Sequence, residues 1–179
     1  IELAEVRLEV EFPDLAELLK RHPELCGNRG NKYVLVELPI TTYPLYVEQA
    51  FFELQSRGLT PVIAHPERYF FTQQSPNQFY RLLRNGALAQ ATAESFLLPR
   101  SLAVRRTVEA LVRCGMVQII ASDVHSPSMR TFHLQEAMAV AARWIGPGDA
   151  QAMITRTPQR VVSGEKVDTF PQPYRRSWR

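Results

Sequence analysis

Five β-like segments alternate with amphipathic ones along this chain, and that alternation restricts its fold more than any other feature. Val6 to Phe12 alternates apolar and charged residues as a half-buried strand does, and Pro13-Asp14 opens a helical stretch, Leu15 to Lys20. A Gly/Asn loop, Cys26 to Asn31, leads into the apolar run Tyr33 to Leu38, which stops at Pro39. From Tyr46 to Arg57 the residues Val47, Ala50, Phe51 and Leu54 recur at helical spacing, and Gly58 suits the position after a helix end. Pro61 to Ala64 reads as a strand running directly into His65-Pro66-Glu67-Arg68.

The second half repeats the pattern. Gln78 to Leu83 predicts a helix ended by Asn85-Gly86, and Ala87 to Thr92 a short strand. Leu102 to Val112 is amphipathic and stops at Gly115, after which Val117 to Ala121 is apolar and delivers Ser122-Asp123-Val124-His125. Thr131 to Ile145 predicts a helix, and Gly146-Pro147-Gly148 separates it from a final one of about ten residues. Strands that are continuously apolar and alternate with helices belong to a parallel sheet covered by helices, either open or closed as a barrel. Glu37, His65, Asp123 and His125 all fall at or just past the C-terminal ends of such strands, where both architectures place their ligands.

Composition narrows the function classes. At 179 residues and 45% hydrophobic content, one domain of this size buries about 70% of its unfolded surface. The basic excess lies in Arg175, Arg176 and Arg179; without them the body balances at 18 basic against 18 acidic residues. The basic balance is therefore weak evidence for a nucleic-acid partner, which requires a basic face on the folded domain, and 168–179 reads as a solvated tail after a 1–167 domain. Two cysteines, Cys26 and Cys114, make no disulfide scaffold and fit a cytoplasmic setting. No run of about 18 apolar residues predicts membrane insertion. The first residues, Ile1-Glu2-Leu3-Ala4-Glu5, enter a β-like pattern at once, which predicts a start inside a larger gene product.

Glu5, Glu37, His65, Asp123 and His125 supply three carboxylates and two imidazoles. Converging at one rim, they predict a site for Mn, Fe or Zn, since carboxylate oxygen and neutral imidazole suit these ions and carboxylates bridge two of them. Singly, each has a plainer explanation: a Glu at a strand end is usually a capping or exposed acid, and most lone histidines are satisfied loop residues. Asp123-Val124-His125 is more specific, because strand residues two apart share a face. His22 and His133 lack acidic company and read as structural or surface residues.

Arg68 follows His65 by three positions and Arg130 follows His125 by five. A guanidinium beside a metal pair suits bidentate contact with phosphate, although the commoner fate of an arginine is a surface ion pair, here for example Arg68 with Glu67. Cysteine phosphatase chemistry is excluded, because the sixth residue after Cys26 is Lys32 and after Cys114 is Ile120, neither an arginine. Nucleotide-cradling glycine loops and the G-x-S-x-G elbow are also absent.

Four segments carry a family resemblance: Tyr33-Val34-Leu35-Val36-Glu37-Leu38-Pro39, Phe52-Glu53-Leu54-Gln55, Pro61 to Tyr69 with its H-P-E-R-Y, and Ile120 to Ser126 with its S-D-x-H. With Gln90, Thr92, Ser95, Thr157-Pro158-Gln159-Arg160 and Gly164-Glu165, they resemble the CpsB/CapC-type manganese-dependent protein-tyrosine phosphatases of the PHP superfamily. The resemblance implies a distorted (β/α)7 PHP-type barrel, here with about five of its β-α units, and a divalent metal cluster, Mn first. Glu5, Glu37, His65, Asp123 and His125 would be metal ligands, and Arg68 and Arg130 the phosphate-binding catalytic residues. It further implies that activated water attacks a phosphotyrosine protein, such as a tyrosine autokinase of capsule or exopolysaccharide export.

The departures carry expectations of their own. The family's H-x-H strand and a further histidine strand have no counterpart here, so weak metal binding and little turnover are expected of this chain. Phe96-Leu97-Leu98-Pro99-Arg100 replaces a glycine-rich rim segment. Two rivals remain open on the sequence: another PHP phosphatase, acting on histidinol phosphate or a nucleotide, and an inactive PHP module that assembles as a homo-oligomer.

Overall fold

The computed structural model describes residues 5–7, 32–97, 101–124 and 133–175. In chain order these form β1 (Glu5–Arg7), β2 (Tyr33–Glu37), α1 (Val47–Ser56), β3 (Thr60–Ala64), a 3-10 turn (Pro66–Arg68), α2 (Phe70–Gln74) and α3 (Pro76–Leu83). There follow β4 (Leu88–Thr92), α4 (Glu94–Leu97), α5 (Leu102–Arg113), β5 (Ile119–Ala121), α6 (Leu134–Ile145), α7 (Pro147–Ile154) and α8 (Arg156–Ser163). The strands form one sheet in the order β1-β2-β3-β4-β5, each pair parallel. The expected α/β chain with a parallel sheet is thus observed. The expected helix Leu15 to Lys20 and the loop Cys26 to Asn31 lie outside the described residues.

Strand parity explains why both faces of the sheet are apolar. Val34, Val36, Ile63, Ala89, Ala91 and Ile120 point to the side where Phe51 and Leu54 of α1, Phe79 of α3, Leu111 of α5 and Ala141 of α6 cover them. Tyr33, Val62, Leu88 and Ile119 point to the other side and pack with Leu35, Val161 of α8 and Val167. A sheet buried on both faces needs strands without polar alternation, as observed. Each fully buried Leu or Val contributes about 1.5–3 kcal/mol relative to exposure.

Two helical details differ from expectation. The C-terminal helical region is two helices, broken at Thr155, whose backbone (φ −127°, ψ −85°) is not helical. Pro158 then falls in the first turn of α8, where no N–H is needed. The short helix α2 was hidden because five residues, Phe70 to Gln74, show less than two turns of periodicity.

Residues 165–175 have neither helix nor strand, yet hydrogen bonds hold them across the end of the sheet where the strands begin. The Tyr33 hydroxyl donates to Glu165 O (2.7 Å) and accepts from Val167 N (3.1 Å). Gln172 N donates to Cys114 O (2.8 Å), and Tyr174 N to Asn77 Oδ1 (2.7 Å). Among the described residues no helix is long and apolar enough to cross a membrane.

Candidate active site

The chemistry-bearing side chains gather where the parallel strands end, and the segment after β3 organises them. His65 leaves the strand in the left-handed region (φ 33°, ψ 55°), an unusual backbone for a residue with a Cβ. Its N–H donates to Gln90 O (2.7 Å) and its carbonyl accepts from Arg68 N (3.0 Å), so the turn Pro66–Arg68 is tied to β4 and closed on itself. The turn sends successive side chains to opposite sides. His65 and Arg68 face the site, whereas Glu67 and Tyr69 are fully buried.

Tyr69 braces this arrangement from below. Its hydroxyl donates to Ala64 O (2.6 Å) and accepts from Leu38 N (2.9 Å), joining the ends of β3 and β2. Its ring meets His65 edge-on at 5.6 Å and stacks on Phe71 at 5.4 Å. Ring packing thus helps to hold the imidazole in place.

Two close pairs result. His65 Nε2 lies 3.4 Å from Glu37 Oε1, and Arg68 Nη1 lies 3.1 Å from Asp123 Oδ2. Burial pushes the His65 pKa below its ordinary value, and the Arg68 charge adds to this, while Asp123 and Glu37 oppose it. The imidazole is therefore neutral at pH 7, and its Nδ1 is buried without a hydrogen bond. A neutral imidazole beside a carboxylate oxygen is the donor set of a borderline divalent cation. Two ligands at about 2.1 Å from one ion stand roughly 3.0–3.4 Å apart, which the Glu37–His65 separation matches. These two residues fit a metal, with Nε2 the imidazole nitrogen that faces the carboxylate.

Asp123 has its own support. It sits just past β5 with φ 55°, accepts a hydrogen bond from Thr92 Oγ1 (3.3 Å) and forms an ion pair with Arg68. Arg68 is one-third exposed while Asp123 is nearly covered, so the arginine is anchored at Nη1 while part of its side chain reaches solvent. The suggested surface pair of Arg68 with Glu67 does not form. Glu67 Oε1 instead accepts from Thr92 N (3.0 Å) and Ser95 Oγ (2.7 Å). Burial pushes its pKa up, against those two hydrogen bonds and the Arg68 charge.

Of the residues singled out in the sequence, Glu37, His65, Arg68 and Asp123 come together. Glu5 lies on β1 in register with Leu35, two residues before Glu37, and its side chain is outside the described residues. His125 and Arg130 are outside them as well. Among the described residues no group of three or more His, Cys, Asp and Glu is arranged to hold a metal. His133 stands at the start of α6, its Nδ1 3.5 Å from Glu136 Oε1, away from these groups. Glu67 and Tyr69 escaped sequence reasoning, since nothing in H-P-E-R-Y says which side chains turn inward. A separate cavity of about 460 Å³, lined by Tyr33, Thr60, Gly86, Val167 and Phe170 among others, contains none of the site residues.

Residues 9–163 match the family described as capsular polysaccharide synthesis, CpsB/CapC. The tyrosine-protein phosphatase YwqE of Bacillus subtilis is 33% identical over 161 residues, covering 89% of this chain and 62% of that protein. The putative tyrosine-protein phosphatase CapC of Staphylococcus aureus is 35% identical over 116 residues, 65% of this chain and 46% of the relative. A solved structure from work on YwqE and on CpsB of Streptococcus pneumoniae, described as metal-dependent tyrosine phosphatases, superimposes with a TM-score of 0.84 at 30% identity, over 96% of this chain and 68% of the other. The chain thus spans about 62% of the length of its relative YwqE. With its sequence matched from residue 9 to 163, the chain belongs to the CpsB/CapC family of capsular polysaccharide synthesis.

Proposed function

We propose that this chain carries part of a metal-dependent phosphoesterase acting on phosphotyrosine in proteins. The observation that carries the reading is the half-anchored guanidinium of Arg68, fixed on Asp123 beside the Glu37–His65 pair at the ends of neighbouring strands. The description of its relatives as metal-dependent tyrosine phosphatases supports the substrate class. A tyrosine autokinase of polysaccharide export is the substrate we propose. Among the described residues the strand order runs β1 to β5 without reversal, unlike an open doubly wound sheet, which supports a segment of a PHP-type barrel within residues 1–167.

Each residue has a stated task. Glu37 Oε1 and the neutral His65 imidazole would hold a divalent cation, Mn being our first choice, with Glu5, Asp123 and His125 as further candidates. Such an ion, when bound, polarises phosphoryl oxygens and makes water nucleophilic at neutral pH. Arg68 keeps donors beyond Nη1 that bond to no described residue, and these bind and orient the phosphoryl group and neutralise charge developing on its oxygens. Asp123 holds Arg68 in place, and Thr92 holds Asp123. Arg130 is proposed as a second phosphate-binding arginine.

The test is hydrolysis of a phosphotyrosine peptide, histidinol phosphate and a nucleoside monophosphate with manganese. It is run on this chain and on a version extended upstream. Metal-dependent release from the phosphotyrosine peptide that Arg68→Ala abolishes supports the reading. Hydrolysis that ignores metal and Arg68, or that prefers either small phosphate, overturns it.

A further inference from the structure

Glu67 is buried completely, yet among the described residues its carboxylate accepts two hydrogen bonds, both at Oε1. Its Oε2 is buried with no hydrogen bond. Burying a carboxylate so incompletely satisfied is a poor way to stabilise a fold, because desolvation outweighs what two neutral donors return. What the carboxylate does accomplish is geometric. Oε1 fixes the backbone N–H of Thr92, the last residue of β4. The Thr92 hydroxyl then donates to Asp123 Oδ2, the oxygen that Arg68 Nη1 approaches at 3.1 Å. Arg68 in turn follows Glu67 in the chain, so the four residues close a ring across the ends of β3, β4 and β5. Ser95, at the start of α4, tethers the ring to the covering helices.

We propose that Glu67 is a positioning residue: acting through Thr92 and Asp123, it sets the place of the Arg68 guanidinium and thereby the affinity of the site for a phosphoryl group. The second half rests on the phosphoesterase reading above; the first half does not. Glu67 touches neither the phosphoryl position nor the Glu37–His65 pair by any contact in the structure, so its influence is carried by the ring.

The experiment compares Glu67→Gln and Glu67→Met in the whole chain, labelled with 15N-arginine. In the wild type and in Glu67→Gln, whose amide oxygen accepts the same two hydrogen bonds, the Arg68 guanidinium signals are expected to be resolved and ordered. In Glu67→Met, which keeps the volume and loses both acceptors, they are expected to merge with those of mobile arginines. The dissociation constant for orthophosphate should then rise about ten- to a hundredfold, as for loss of a charged hydrogen bond. In an Arg68→Ala background the Glu67→Met penalty should vanish. An ordered Arg68 in folded Glu67→Met, equal losses in Glu67→Gln and Glu67→Met, or additive penalties in the double variant would each overturn the inference. Should Glu67→Met not fold, Ser95→Ala removes one donor, and an unchanged Arg68 signal there counts against it. A wild type with an ordered Arg68 and no orthophosphate binding sinks the phosphoesterase reading instead, and the Arg68 signals alone then decide the role of Glu67.

Discussion

Arg68 Nη1 stands 3.1 Å from Asp123 Oδ2, a pair that spans from the end of β3 past β4 to the end of β5. One partner is nearly covered and the other one-third exposed, so the pair ties the rim together while leaving guanidinium donors open. Arg68→Ala removes the cation that stands 3.1 Å from the Asp123 carboxylate. The expected loss is about 1–3 kcal/mol of stability, below that of a fully buried pair because the arginine is partly solvated. Phosphotyrosine hydrolysis should fall by about 10²–10³-fold. Arg68→Lys should restore much of the stability and little of the activity, since an ammonium lacks the planar fork. Denaturant titration and steady-state kinetics on the same samples check both.

The metal binding proposed at Glu37 and His65 predicts a stability increment that depends on cation concentration. At about a hundred times its dissociation constant, manganese should stabilise the folded chain by about 2.7 kcal/mol, and a chelator should reverse the gain. Glu37→Gln and His65→Ala should each remove most of it. Thermal unfolding with and without manganese is the measurement, and equal shifts in wild type and variants would falsify the assignment.

Tyr69→Phe deletes one oxygen and leaves two buried backbone groups, Leu38 N–H and Ala64 C=O, without that partner. The expected cost is about 1–3 kcal/mol with the fold retained, because the ring packing on Phe71 survives. A cost within a few tenths of a kcal/mol of zero in urea unfolding would mean that the hydroxyl braces nothing.

Cys114 lies in the core, and burial pushes its thiol pKa above the ordinary value. The neutral thiol is therefore favoured in the folded chain. Its contribution to stability is complete below the unfolded pKa of about 8.5 and is lost as pH rises through the higher folded value. In a Cys26→Ser background, disulfide reagents should label Cys114 far more slowly in the native chain than in urea. Stability should also fall less between pH 8 and pH 10 in Cys114→Ala than in its parent. Fast native labelling would contradict the burial.

The β-α alternation was legible because each strand is apolar along its whole length, as a sheet covered on both faces requires, and because the helices carry their apolar residues at 3.6-residue spacing. That Glu37, His65, Arg68 and Asp123 lie close together was legible for the same reason. In a parallel sheet every strand ends at the same rim, so residues that follow strands in sequence become neighbours in space. This much the amino-acid order determined by itself. The pairing was decided only by the tertiary structure. Sequence proximity suggested Arg68 with Glu67, but the 3-10 turn points adjacent side chains in opposite directions. Glu67 is driven inward to Thr92 and Ser95, and Arg68 is left to cross two strands and meet Asp123. Contacts between strand ends depend on turn geometry and on the register of strands distant in sequence, and no local pattern encodes either.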